Sequence, residues 1–370
     1  MRKVFQTFAS FNCVQYNQIM KQMSYFDKRS QDCILKQREI LRTLPEFCED
    51  FFIGIENQTS PLTRLNYARD LVIFFDWLKD YTNIVGDRDV RDLEIDDLKK
   101  IKSTHIDRFL SYLSTYQMNG KVIKNGERGK SRKLSAIRSF FKYFYNRDFL
   151  DGNVASKVDM PKIHDKAIIR LEVDEVARLL DEADLATNMT RMQQGFHEHT
   201  RLRDVAMLTL LLGTGIRVSE CVGLNIDDVD FSINAIRITR KGGNQVMLYF
   251  SDEIEDALKA YLVERNENKI ANEKGEEALF LSLQNKRITV RAVQLLVKKY
   301  ASIITPLKKI TPHKLRSTYG TALYHETQDI YIVADVLGHK DINTTKRHYA
   351  AVSDDIRRSA AGKVRLRDMQ

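Results

Sequence analysis

Ala68, Leu71, Phe75 and Leu78 recur at spacings of three and four, which predicts one apolar helix face. Ser60-Pro61 marks its start: Ser caps, and Pro at the first helical position gives up an amide that would have no partner. Trp77, beside this stripe, reads as packing. A second helix is predicted over Ser103–Tyr116, then a loop rich in Gly, Lys and Asn over Asn119–Lys130. Ser131–Tyr145 is strongly amphipathic, with Leu134, Ile137, Phe141 and Phe144 on one side. Arg132, Lys133, Arg138 and Lys142 occupy much of its remaining surface. The first fifty residues read as helical and carry no repeat and no catalytic cluster.

Asp151–Arg170, with Gly152 and Pro161 and no clear period, reads as an exposed linker. Helices are predicted over Glu172–Glu182 and Leu202–Leu212, where Gly213 ends the second and Gly215 turns the chain towards a short helix at Arg217. The convincing β pattern is Ile236 and Ile238, then Val246, Leu248 and Phe250, joined by Thr239-Arg240-Lys241-Gly242-Gly243-Asn244 as a hairpin. Further helices are predicted over Asp252–Asn266, Thr289–Ser302, His313–Glu326, Ile330–Leu337 and Thr344–Ala350. The resulting division is a helical extension over 1–57, a small all-α domain over 58–150, the linker over 151–170, and a mostly helical domain with a small antiparallel sheet over 171–370.

Composition narrows the function. At 370 residues, 43% hydrophobic and 29% charged, the chain is globular and long enough for two domains. Val205–Leu212, its longest apolar run, is far short of the ~20 residues a bilayer demands, and Met1–Thr7 lacks the apolar core of a secretory leader. Cys13, Cys33, Cys48 and Cys221 share no metal-type spacing and read as reduced thiols of a cytoplasmic protein. The net charge of +9 is modest, but its distribution is uneven. Lys121–Arg170 holds thirteen Lys/Arg against five Asp/Glu, whereas Glu172–Glu198 holds seven acids against two Arg. Such a basic band attracts a phosphate backbone.

Four segments carry candidate chemistry: Gly213-Thr214-Gly215-Ile216-Arg217-Val218-Ser219-Glu220; Thr239-Arg240-Lys241-Gly242-Gly243; Thr311-Pro312-His313-Lys314-Leu315-Arg316; and Leu337-Gly338-His339 followed by Tyr349. Each alone could be structural, since HxxR merely places two side chains on one helix face. Together and in this order they resemble the catalytic signature of the tyrosine recombinases, the phage integrase family, over about residues 165–365. The helical segment before them is similar in position and character to that family's core-binding, SAM-like domain. The TRKGG hairpin, the TPHKLR segment and the LGH…Y ending look most like bacterial Xer-type recombinases.

The resemblance implies a reaction on a DNA phosphodiester. Tyr349 would attack the scissile phosphate, forming a 3′-phosphotyrosyl bond and releasing a 5′-hydroxyl. Arg217 and Arg316 offer planar, permanently charged forks for the nonbridging oxygens. By the family's pattern His313 assists proton transfer near the nucleophile, His339 hydrogen-bonds the phosphate, Lys241 protonates the departing 5′-oxygen, and Glu220 buttresses the site. No cofactor or metal is implied. The implied partner is double-stranded DNA at paired recombination sites, embraced by the two domains and gripped by Arg132, Lys133, Arg138 and Lys142. A homo-tetramer held through the segment after Tyr349 would exchange strands through a Holliday junction, on the bacterial nucleoid and not at a membrane.

Some readings stay open. Xer-like chromosome dimer resolution competes with integration and excision of a mobile element, and a type IB topoisomerase or a silent DNA-binding protein would share the scaffold. Tyr319, Tyr324 and Tyr331 also lie near the motifs but lack the spacing of Tyr349 from His339. His197-Glu198-His199 reads as an incidental HxH in a polar connection. Ser317 stands where many relatives carry a histidine after the second arginine.

Overall fold

The computed structural model describes residues 23–118, 120–164, 169–240, 243–273, 275–339, 341–342 and 345. The chain divides into two compact units, 1–165 and 166–370, the boundary falling within the segment read as a linker.

The first unit is a helical bundle around a phenylalanine-rich core. Its helices are α1 (Tyr25–Leu41), α2 (Phe47–Gly54), α3 (Pro61–Tyr81), α4 (Ser103–Tyr112) and α5 (Glu127–Tyr145), with a hairpin of β1 (Thr115–Met118) and β2 (Lys121–Lys124) between α4 and α5. Ser60 caps α3 as its sequence predicts, its hydroxyl accepting from the Thr63 amide at 3.3 Å. Phe47, Phe51 and Phe52 of α2 share one core with Phe74 and Phe75 of α3 and Phe140, Phe141 and Phe144 of α5. Phe51 meets Phe140 edge to face at 5.2 Å, and Phe140 meets Phe144 at 5.1 Å, the geometry in which ring edges face ring clouds. Trp77 is packed, 5.5 Å from the Phe109 ring.

Three expectations are corrected here. The helix predicted to reach Tyr116 ends at Tyr112, and residues 115–124 form a β-hairpin pairing Thr115 with Lys124 and Met118 with Lys121. Gly120 supplies the positive φ, 72°, that the tight turn demands. The linker is not wholly exposed: Ala155 and Val158 are buried in this core, around a 3₁₀ turn at Val154–Lys157. Lys133 is not on the outer surface; it is 5% exposed and donates to Asn125 Oδ1 at 3.2 Å.

An ion-paired carboxylate pins the turn between α3 and α4. Asp97, 5% exposed, accepts from both terminal nitrogens of Arg88 at 2.9 and 3.0 Å, from Lys100 at 2.7 Å and from the Glu94 amide at 3.0 Å. The Arg88 guanidinium holds its carboxyl well below the ordinary carboxylate range. A folded-state value below the unfolded one gives stability that is present above about pH 4 and lost as the pH falls towards the folded value. Asp97→Asn is therefore expected to cost about 1–3 kcal/mol at neutral pH and to flatten the acid limb of stability. Urea melts at pH 7 and pH 3.5 check this; an equal loss at both values would contradict it.

The second unit contains α6 (Val173–Leu185), α7 (Arg191–Glu198), α8 (Arg201–Thr214), α9 (Val218–Gly223), α10 (Asp252–Glu267), α11 (Lys269–Glu273), α12 (Val290–Ile304), α13 (Pro312–Thr327) and α14 (Ile330–Leu337). Its antiparallel sheet runs β3 (Val229–Asp230), β4 (Ala235–Thr239), β5 (Gln245–Tyr249), with Ala235 opposite Tyr249 and Thr239 opposite Gln245. α8 is the central rod. Ala206, Met207, Leu208, Leu210 and Leu211 are buried around most of its circumference because α6, α10 and α13 pack on it. Asp204 on the same helix is buried and accepts from the Tyr300 hydroxyl at 2.8 Å and from Arg203 Nε at 3.0 Å. The expected mainly helical class with a small antiparallel sheet is therefore the observed one.

α7 replaces the polar connection expected around His197. Thr190 and Gln193 form its capping box, and His197 is buried with Nε2 2.8 Å from the Ala183 carbonyl oxygen. Among the described residues no helix is long and apolar enough to cross a membrane.

Candidate active site

The second unit brings Arg217, Arg316 and His339 to the carboxyl end of α14. The last carbonyls of a helix have no partner within it, and the aligned peptide dipoles make that end partly negative. Here Asp335, Val336, Leu337 and Gly338 each offer an oxygen, and each oxygen accepts from an arginine of the site.

Arg217 comes from the turn between α8 and α9. Gly215 makes that turn with φ +61°, and it has no room for a side chain: an added Cβ would collide with the Tyr319 ring and lie 2.9 Å from Leu337 Cδ2. Arg217 then caps α9. Its amide donates to Glu220 Oε2 at 2.9 Å and its guanidinium to Glu220 Oε1 at 2.8 Å, while a second guanidinium nitrogen donates to the Gly338 carbonyl at 3.0 Å. Glu220 is buried, so both its oxygens are spent on holding one arginine. A third of the Arg217 side chain stays open to solvent. Arg287 braces α9 from behind, donating to the carbonyls of Val222 and Leu224 at 2.9 and 2.8 Å.

His313 and Arg316 lie one turn apart at the start of α13, behind Pro312 at its first position. His313 is exposed; Arg316 is 6% exposed. The Arg316 fork donates to the Gly215 carbonyl at 2.6 Å and to the Leu337 carbonyl. It thus ties the glycine turn that delivers Arg217 to the helix end that delivers His339. His339 follows Gly338, whose φ of +60° ends α14, and its Nδ1 shares a hydrogen bond of 2.7 Å with Thr345 Oγ1. Thr345 is fully buried, so the imidazole is oriented from a fixed point.

Arg217, Glu220, Arg316 and His339 are therefore brought together, with His313 on the same helix turn as Arg316. Lys241 and Tyr349 lie outside the described residues, as does the segment after Tyr349. Among the basic residues of the first unit, Arg132 forms a two-pronged pair with buried Asp70, one bond of which is 2.8 Å. Arg138 donates to the carbonyls of Ala155 and Val158, and Lys142 is exposed. Burial raises the Asp70 carboxyl above its ordinary value, with Arg132 and Lys133 pulling the other way.

Reasoning from sequence missed Arg240, Arg287 and Thr345. Arg240 precedes Lys241, and its guanidinium donates to the carbonyls of Asp335 and Val336 at 3.2 and 2.8 Å. Burial lowers its pKa and Glu220 pulls it back up, so the two groups share one field; the guanidinium stays charged. Cys221, beside Glu220, is no nucleophile: burial pushes its thiol up to about 12.

The arrangement can bind a tetrahedral anion between two cationic forks and an imidazole, with their positions set by backbone carbonyls. Such fixed donors stabilise developing charge because they need not reorganise during reaction. Comparison with known proteins agrees with this chemistry. The phage integrase family matches residues 169–355, and the N-terminal SAM-like domain of phage integrases matches residues 49–148. The chain is 30% identical over 365 residues to the tyrosine recombinase XerC of Caldanaerobacter subterraneus subsp. tengcongensis, covering 95% of this chain and 96% of that one. It is 29% identical to the tyrosine recombinase XerD of Staphylococcus epidermidis, over 83% of this chain and 94% of the other. The fold is similar to that of the XerH site-specific recombinase solved with palindromic difH substrate, with a TM-score of 0.61 and 20% identity over 83% of this chain and 81% of that one. With the family signature, the core-binding domain and a full-length relative all in agreement, the chain belongs to the phage integrase family of tyrosine recombinases.

Proposed function

We propose that this recombinase cuts and rejoins double-stranded DNA at paired specific sites, in the Xer manner, to resolve chromosome dimers. The Tyr349 oxygen attacks phosphorus, the bond to the 5′-oxygen breaks, and Lys241 gives that oxygen its proton. The proton of the phenol leaves towards His313. Arg217, Arg316 and His339 hold the nonbridging oxygens while charge builds on them. Because the phosphotyrosyl ester conserves the bond energy, a second 5′-hydroxyl reverses the step on a partner strand. A tetramer assembled through the segment after Tyr349 would bring two sites together in the cytoplasm. Lys142 and the neighbouring basic residues would hold the DNA backbone, with affinity that falls as salt rises.

The observation that supports this reading best is the set of arginine bonds to the end of α14, which keeps two guanidinium forks and an imidazole in one place. The near full-length match to XerC relatives favours the Xer role over a mobile-element integrase. Nicked suicide duplexes carrying candidate chromosomal sites, incubated in EDTA and resolved with SDS, test it. An adduct on one such site, with recombination between two copies of it, is the expected result. An adduct only on the ends of a mobile element would replace the Xer role with integration. Supercoil relaxation without paired sites would point to a topoisomerase, and cleavage abolished by EDTA to a nuclease.

A further inference from the structure

We infer that Arg240 is a positioning residue that ties the base of its hairpin to the carboxyl end of α14, and that cleavage depends on this tie through the lysine that follows Arg240 in the sequence. The inference rests on the reading of Lys241 as proton donor, given above.

Its backbone fixes the base of the hairpin: the Arg240 amide donates to the Asn244 carbonyl at 2.8 Å, and its own carbonyl accepts from the Gly243 amide at 3.0 Å. Its side chain reaches about 95 residues along the sequence to the Asp335 and Val336 carbonyls. The guanidinium lies against Gly338, so close that any Cβ there would run into it. A merely solvated arginine would keep all its donors in water. Here Nε is buried with no hydrogen-bond partner among the described residues, a costly arrangement that the two charge-assisted bonds to the negative helix end offset. The neighbours give the contact its meaning. Arg240 is one peptide bond from Lys241, and Gly338 is one peptide bond from His339. The next two carbonyls of the same helix end are taken by Arg316 and Arg217.

This tie predicts a defect of a particular kind. A displaced lysine fails to protonate the 5′-oxygen, but a sulfur in the same bridging position leaves as a thiolate without a proton, since a thiol is far more acidic than an alcohol. Single-turnover cleavage by the full-length protein is measured on two nicked suicide duplexes, one with oxygen and one with sulfur at the scissile 5′ position. Arg240→Ala is expected to cleave the oxygen duplex about 10- to 100-fold more slowly and the sulfur duplex within about threefold of the native rate. Arg240→Lys keeps the charge but not the planar fork and is expected to recover only part of the loss. Amide hydrogen exchange is followed in the same variants. Residues 240–244 and 335–339 should exchange faster together while α8 is unchanged. Equal slowing on both duplexes, or exchange that stays native in either segment, would overturn the tie. Lys241→Ala is run alongside: if sulfur does not rescue it, the lysine loses its role as proton donor, while exchange alone still decides whether Arg240 joins the two segments.

Discussion

Tyr349→Phe is expected to bind its DNA site with native affinity and to form no SDS-resistant adduct, a loss of at least about 10⁴-fold in cleavage. The substitution keeps the aromatic ring and deletes only the oxygen that would attack phosphorus. The other tyrosines near the motifs are poorly suited to replace it. Tyr319 is packed with Leu323 against the end of α14, and burial raises its pKa, which makes its oxygen a weaker nucleophile. Tyr324 packs in the same small cluster, and Tyr331 is exposed on the first turn of α14. Gel-shift and adduct assays on one nicked duplex make the measurement. An adduct that persists in Tyr349→Phe would remove this residue as the nucleophile.

Arg316→Lys is expected to be the second most damaging change, although it conserves charge. The guanidinium spans two backbone carbonyls from elements far apart in sequence, at Gly215 and at Leu337. An ammonium group on a flexible stem presents no planar fork and cannot reproduce both bonds with the same geometry. Two effects should follow. Cleavage falls about 10²- to 10³-fold, as when one fixed donor to a developing anion is removed. Thermal stability of the second unit falls by about 1–3 kcal/mol, because a buried carbonyl loses its donor. Single-turnover cleavage and melting of the same preparation separate the two. Native stability with native cleavage would show that Arg316 neither bridges these segments nor meets the phosphate.

Arg217, Glu220, Arg316 and His339, which the fold brings together, could be picked out from the sequence because chemistry on a phosphate leaves little freedom of residue type. Permanent cations, imidazoles and a phenol in a fixed order are hard to assemble by accident. What could not be read were the partners. The α14 carbonyls that engage Arg217, Arg240 and Arg316 are backbone atoms and leave no mark in a sequence. The basic helix α5 illustrates the same difficulty. Its apolar face follows directly from spacing, but nothing in the spacing separates Arg132 and Lys133 from the solvated residues around them, and both pair with Asp70, which is buried 62 residues from Arg132. Spacing alone cannot say which charged residue will meet a buried opposite charge. The β1–β2 hairpin is a different case. Asn119-Gly120 is a strong local turn signal, but the surrounding lysines made the segment look like loop, and its strands are only four residues each.

The shared phenylalanine core of the first unit bears on how such enzymes can be reshuffled. A gene fusion cut just before α3 would strip Phe47, Phe51 and Phe52 from around Phe75 and Phe140, leaving an oily wound where a wall had been. The natural seam for grafting a foreign DNA-reading module onto this catalytic engine lies instead beyond Val158, where the buried residues of the first unit end and Asp165 gives way to Lys166. Lineages that trade target sites by exchanging parts would keep α1 and α2 with the helices they line, because the fragment that travels must carry its own interior.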